Sequence, residues 1–330
     1  MNVAVREYLA RIRTGPVQSY KRLAVVPLFA EGNGGPDYMT LSEAMSAGVL
    51  IVTEMSAAGR VPELFVENTS DRPILLLDGE EVAGAKQNRV LNTSVLLKGK
   101  SKTLIPVSCT EQGRWHYTSS TFADSGVVMS PRMRARKMNF VTRSVRAEGL
   151  FLSDQGDVWR SVAELAHSTS TMSPTRAMRD TFAQRANDLQ EYVSHFRVEP
   201  GQNGMLVFVA GEPMGFDALS RPEAFATLAP KLLRSAAMEA LAVGKDDGPA
   251  VNVAAAEAFL RRAAALTPTP HPSIGLGEDW RFEGDDLVGS ALVVEGVVIH
   301  TAFFRALRAA EGEDHFPSLG RRRGFRSDRP

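Results

Sequence analysis

From Pro73 to Trp115 the chain reads PILLLDGEEVAGAKQNRVLNTSVLLKGKSKTLIPVSCTEQGRW, the densest run of chemically capable side chains it contains. Glu80 and Glu81 follow the Asp78-Gly79 turn, and Glu111 follows an apolar strand. Carboxylates so placed can act as general acid or base, or ligate a hard cation. Successive strand residues point to opposite faces, so at most one of Glu80 and Glu81 faces a common pocket. The plainer alternative is a pair of solvated turn acids, the usual state of glutamate. Gln87, Asn88, Arg89, Asn92 and Arg114, with Lys86, offer donors suited to a phosphate, a carboxylate or a base edge. Equally, such residues at a strand entry tie down turn backbone. Trp115, between Arg114 and His116, could stack on a base or sugar, or simply pack a strand corner.

Cys109 ends a strand with Ile105 and Val107 on its own face, which makes it a buried small hydrophobe. As a nucleophile it would need a cation to favour the thiolate, and neighbouring Glu111 acts the other way. The single cysteine rules out an intrachain disulfide and any zinc site that needs two thiolates. Six scattered histidines form no HxH or HxxxH pair. HExxH, GxSxG and phosphate-loop glycine spacings are likewise missing. No metal site is expected, and no cofactor is specified.

The elements that must position these residues can be read from pattern. The N-terminal segment MNVAVREYLARIRTGP suits a short amphipathic helix without a signal-peptide core. LAVVPLFA is a buried strand; TLSEAMSAG is a short helix capped by Thr40 or Ser42 and stopped at Gly48. Further strands follow at VLIVTEM, PELFV and PILLL, punctuated at Ala57-Ala58-Gly59 and at Asn68–Pro73. Asp78-Gly79 is the strongest hairpin signal. VLNTSVLLKG and TLIPVSC read as two more strands.

At Ser130-Pro131 the character changes. Arg132, Arg134, Arg136, Lys137, Arg143 and Arg146 crowd one segment, whose ordinary fate is a solvated helix face. A helix capped by Ser153 or Asp154 follows, then one long helix from Pro174 to Phe196. Beyond Gly201, GMLVFVAGEPMGFDAL reads as a strand, a turn and a shorter apolar piece. Two helices follow, the first broken or kinked at Pro230. Pro268, Pro270 and Pro272 mark a loop, and residues 280–304 a three-stranded meander.

The wording DGEEVAGAKQNRVLN followed by CTEQGRW, with QGDVW and more loosely GMLVFVAGEPMGFDAL, resembles the ARG- and rhodanese-phosphatase-associated protein domain family. ARG abbreviates ADP-ribosylglycohydrolase. The resemblance implies an association with ADP-ribose-removing and phosphatase-like proteins, and brings no activity or catalytic residue with it. Positions matching its wording are Glu80, Glu81, Gln87, Asn88, Arg89, Asn92, Cys109, Glu111, Arg114 and Trp115.

The expected fold is α+β, with a β-rich, sandwich-like and mostly antiparallel N-terminal part, a helical middle and a smaller α/β C-terminal part. The expected segments are an N-terminal helix (1–19), a β-rich domain carrying the site (20–128), a helical segment (129–199), an α/β part packed on the rest (200–312) and a disordered basic tail (313–330). Balanced charge, 38 basic against 38 acidic residues, gives no global argument for nucleic acid, and no apolar run could span a membrane. A cytoplasmic protein is expected. Its expected role is binding or processing a small anionic ligand, nucleotide or ADP-ribose-like, at 79–116. The alternatives are a non-catalytic interaction scaffold and, third, nucleic-acid binding through 132–146, a partner not expected. Whether it is an enzyme, and its oligomeric state, stay open.

Overall fold

The computed structural model describes residues 3–30, 35–55, 62–243 and 250–306. The 313–330 tail and the Ala57-Ala58-Gly59 punctuation lie outside them. The fold is α+β.

LAVVPLFA forms the strand Leu23–Ala30, and its alternation divides it between two cores. Leu23 and Val25 enter one with Met205, Val207 and Phe225. Ala24, Val26 and Leu28 enter the other with Phe208, Phe216 and Phe303. A strand buried on both faces needs an unbroken apolar run, which this one is. It belongs to a nine-stranded sheet ordered Ile12–Thr14, Leu23–Ala30, Gly204–Val209, Glu212–Leu219, Val297–Arg305, Leu287–Val294, Glu278–Glu283, Pro268–Pro272, with Gln18–Tyr20 as a further partner of Leu23–Ala30. Backbone pairing therefore runs from the first thirty residues directly to those after 200. Helices Val3–Arg11 and Val253–Ala265 pack together over one face. Helix Pro222–Ala242 covers the other.

The remaining strands make a six-stranded sheet, ordered Phe122–Val128, Glu80–Gly84, Arg89–Leu91, Ser101–Cys109, Glu63–Asn68, Leu50–Glu54. Beside it lies a three-stranded one, Val95–Leu97, Ile74–Leu76, Met39–Thr40. Val52, Val66, Val82, Leu91, Val107 and Leu76 share the core between them. The expected Thr40 cap is present as a reciprocal capping box with Glu43 on helix Leu41–Ser46.

Several elements differ from expectation. Asp78-Gly79 turns the chain without making a hairpin: Ile74–Leu76 pairs with Val95–Leu97 and Met39–Thr40, whereas Glu80–Gly84 pairs with Arg89–Leu91 and Phe122–Val128. VLNTSVLLKG is two strands, because Asn92, Thr93 and Ser94 turn their side chains to partners in other elements. The long helix from Pro174 is two short ones, Met178–Gln184 and Ala186–Val193, as Arg185 leaves helical geometry. Helix Pro222–Ala242 runs through Pro230 unbroken. The proline-marked loop is the strand Pro268–Pro272, at a sheet edge with a partner on one side only; there the missing N–H groups cost nothing.

The basic segment forms helix Pro131–Glu148, and the expected solvated face is only part of it: Arg132, Arg143 and Arg146 are exposed, but the other face is buried. Arg134 and Lys137 are each 1% exposed. Arg132 pairs with Glu239, Arg136 with Asp157 and Glu164, and Arg146 with Glu283. The buried face of the helix is an internal strut.

Candidate functional site

The Asp78–Asn92 loop and hairpin is shaped by two glycines. Gly79 has φ +84°, and a Cβ there would lie 2.9 Å from Arg134 Cδ. Gly84 has φ +135°, and a Cβ would meet Thr121 O at 2.8 Å. Both demands exclude other residues on steric grounds. Ala85 follows with φ 40°, strained for a residue with a side chain. Hydrogen bonds hold it: its N–H donates to Ser119 Oγ (2.9 Å), and its carbonyl accepts from Arg114 Nη1 (2.7 Å) and Thr118 N (3.0 Å).

Neither Glu80 nor Glu81 is a solvated turn acid; both are 0% exposed. Glu80 Oε1 accepts from Lys231 Nζ at 2.8 Å and Oε2 from Leu77 N at 2.9 Å. Glu81 accepts at Oε1 from Thr110 Oγ1 (2.5 Å), while its Oε2 has no partner. Burial pushes the Glu81 carboxyl up to about 7, helped by nearby Glu111 and opposed by Thr110, Ser125 and Arg179.

Glu111 joins three pieces of chain. Oε2 accepts from Arg114 Nη2 (2.6 Å) and Asn88 N (3.1 Å), and Oε1 from Thr175 Oγ1 (2.8 Å). Burial alone would raise its pKa, but the Arg114 and Thr175 hydrogen bonds outweigh it and hold the carboxyl below its usual range. Gln87 donates to Glu111 O, and Asn88 Oδ1 accepts from Gly84 N and Arg114 Nη2. Asn92 donates to Phe151 O and accepts from Ser108 Oγ. Arg114 spends both terminal nitrogens on backbone and side-chain acceptors within this cluster. Cys109 is buried, its thiol pushed up by burial.

Arg89 lies apart. Register places it beside Cys109 and Val82, and Glu81 beside Val90, so Arg89 and Glu81 occupy opposite sheet faces. Arg89 is 0% exposed, donating to Gln87 Oε1 (3.0 Å) and pairing with Glu54 at 3.5 Å. Arg89 Nε and Glu54 Oε2 are buried without partners. Above them, Trp115 is 48% and Tyr117 47% exposed. Lys86 Nζ lies 5.2 Å from each ring centroid, and the Arg89 guanidinium carbon 5.8 Å from that of Trp115. The structure thus gathers Gln87, Arg89 and Trp115 on one face with Glu54, Lys86 and Tyr117. Glu81 is on the other.

Sequence reasoning missed a buried charged network beneath the motif. Asp78 pairs with Lys137 and, at 3.2 Å, with Arg134, whose terminal nitrogens grip Asp217 at 2.7 and 2.8 Å. His300 bridges Asp217 (3.1 Å) and Ser94 Oγ (2.8 Å), and Ser94 Oγ accepts from Asp78 N. Nδ1 of His300 thus faces Ser94 Oγ and Nε2 faces Asp217. A neighbouring set joins Thr93, Asp279 and Arg281. The available signal was Arg134 and Lys137 one helical turn apart beside Met133 and Met138, which puts cations on an apolar face. Among the described residues, no group of three metal-ligating side chains could hold an ion.

This geometry explains why the wording of the motif is so particular: almost every polar letter of DGEEVAGAKQNRVLN and CTEQGR is held by a named partner. The ARPP-1 family model, the ARG and Rhodanese-Phosphatase-superfamily-associated Protein domain, matches residues 11–304. The chain belongs to the ARPP-1 family. The match spans both large sheets, so the family is defined by the whole fold around the motif. No curated protein and no solved structure matches the chain. The family is named for its association with ADP-ribosylglycohydrolase and rhodanese-phosphatase proteins, which sets a context of ADP-ribose and phosphate chemistry. No helix among the described residues is long and apolar enough to cross a membrane.

Proposed function

We propose that the protein binds a small anionic ligand carrying a flat ring, nucleotide or ADP-ribose-like, on the face formed by Trp115, Tyr117 and Lys86. The observation that carries this is the pair of half-exposed aromatic rings flanking one ammonium group, with a buried guanidinium beneath Trp115. A base can stack on the open indole face while Lys86 attracts phosphate, the combination used wherever nucleotides are held without base-specific readout. Arg89, fully buried, acts from beneath the ring, and its unpartnered Nε and the Glu54 Oε2 leave hydrogen-bonding capacity on this face. Arg114, Asn88 and Glu111 position the loop. The ADP-ribose and phosphate context of the family supports the ligand class.

A second reading, a scaffold whose polar cluster only fixes turns, draws on the internal hydrogen bonds of Glu80, Asn92, Glu111 and Arg114. Nucleic-acid binding through 132–146 has least support, because Arg134 and Lys137 are buried against Asp78 and Asp217 and Arg132, Arg136 and Arg146 are held in ion pairs, which leaves little of the segment's positive charge uncompensated. The single buried thiol suits a reducing compartment, and we read the protein as cytoplasmic.

A thermal-shift and calorimetric titration with ADP-ribose, ADP and AMP decides between the first two. Saturable stabilisation is expected, with Trp115→Ala weakening it about tenfold or more, the usual cost of losing one base-stacking ring. Absence of any saturable stabiliser, or equal affinity in Trp115→Ala, would leave the scaffold.

A further inference from the structure

On the face opposite Trp115 sits a carboxylate that the fold does not use up. Buried acids are ordinarily paired with a cation or hydrogen-bonded at both oxygens. Glu81 has one oxygen held by Thr110 and one with no partner. Lys231, which neutralises the adjacent Glu80, is shared only between Glu80 and Asp124.

The backbone around Glu81 is irregular as well. Phe122–Val128 pairs with Glu80–Gly84 at Asp124–Val82 and next at Val128–Glu80. Ser125, Gly126 and Val127 therefore stand opposite Glu81 alone. Such a bulge breaks the ladder and re-aims side chains, and is frequent beside functional sites. Gly126, at φ +72°, has only Arg234 Nη2, 3.8 Å away, near the place a Cβ would take. The bulge is thinly covered there.

A third observation is a cation. Arg179, on helix Met178–Gln184, is exposed, lies within electrostatic reach of Glu81, and makes no ion pair or hydrogen bond among the described residues. The other charged groups around Glu81 are committed: Glu111 to Arg114, and Asp124 to Lys231. Arg234, at the bulge, donates to Gly126 O.

We propose that Glu81, Thr110, Ser125 and Arg179 form a second ligand site, for a tetrahedral oxyanion, reached through the Ser125–Val127 bulge. Arg179 takes the negative charge, and Glu81 in its acid form donates its O–H to an anion oxygen. Ionised Glu81 would instead repel the anion. The site lies on the other sheet face from the Trp115 platform and stands or falls without it.

Sulfate is the suitable probe, since it does not titrate near neutrality. Calorimetry at constant ionic strength is expected to show binding about tenfold weaker at pH 8 than at pH 6, in step with the fraction of Glu81 still protonated around its value of about 7. Arg179→Ala should abolish binding, and Glu81→Gln should keep it while removing the pH dependence. A hydrophobic carbodiimide, which attacks protonated carboxyls, should label Glu81 in the wild-type protein below pH 7, with sulfate protecting. No sulfate binding, unchanged binding in Arg179→Ala, an unchanged pH dependence in Glu81→Gln, or failure to label Glu81 would each overturn the proposal. The labelling arm holds even if a variant does not fold.

Discussion

Glu81 and Asp217 are both buried carboxylates, and their surroundings push them in opposite directions. At Glu81 burial dominates, and its folded value of about 7 stands above the ordinary 4.5. A raised value means that stability is complete below pH 4.5 and is lost as pH rises through 7. Glu81→Gln keeps an acceptor for Thr110 and removes the ionisation, so it should be near parity with wild type at pH 4.5. At pH 8 it should be more stable by about 1–3 kcal/mol, read from urea midpoints at the two pH values. At Asp217 burial is outweighed by Arg134 and His300, which bring the carboxyl from 3.8 to about 2. A depressed value works the other way: stability is present above 3.8 and disappears as pH falls toward 2, worth roughly 2 kcal/mol. Acid titration of wild type against Asp217→Asn should show that loss in wild type alone. Glu81 and Glu80 were visible in the sequence as candidates, and alternation correctly forbade them a common pocket. Their burial was not legible, because it depends on Lys231 and Thr110, which only the fold brings near.

At the scale of elements, helix Pro131–Glu148 illustrates how far pattern reaches. Its existence follows from Pro131 at the first turn and Gly149 at the stop. Its role is only hinted at by Arg134 and Lys137 beside Met133 and Met138, which places cations on the apolar face without saying what they meet. Their acids, Asp78 and Asp217, are distant in sequence. Asp78→Asn would leave the Lys137 ammonium buried with neutral acceptors only, the carbonyls of Leu91 and Asn92 among them. Removing one member of a buried charge pair costs about 3–5 kcal/mol, and the urea midpoint should fall accordingly. A surface pair such as Arg305–Glu212 should change little when cut. The split of the expected 174–196 helix was equally out of reach: its apolar spacing suits either one helix or two, and the break at Arg185 is marked by neither glycine nor proline.

For the whole molecule, the sheet pairing joins chain ends that composition keeps apart. Leu23–Ala30 lies between Ile12–Thr14 and Gly204–Val209, and the buried network ties the motif to Asp217 and His300. Most helical signals and the closing meander are local and were readable; a strand's choice of partner is not, which is why the Asp78-Gly79 hairpin signal misled. Thermal or urea unfolding is therefore expected as one transition, coincident by far-UV circular dichroism and by tryptophan fluorescence, which reports on Trp115, Trp159 and Trp280 in separate places. Two resolved transitions would mean that the β-rich and later segments fold independently. The outermost strand of the large sheet, Pro268–Pro272, carries proline at every second position. Thr269 and His271 are left to bond inward, so its outer rim presents carbonyls and no amide donors. A foreign strand arriving there finds half of its ladder missing. The molecule thus guards one rim of its largest sheet against strand addition and fibrous self-association, without spending a charge or a covering helix on it.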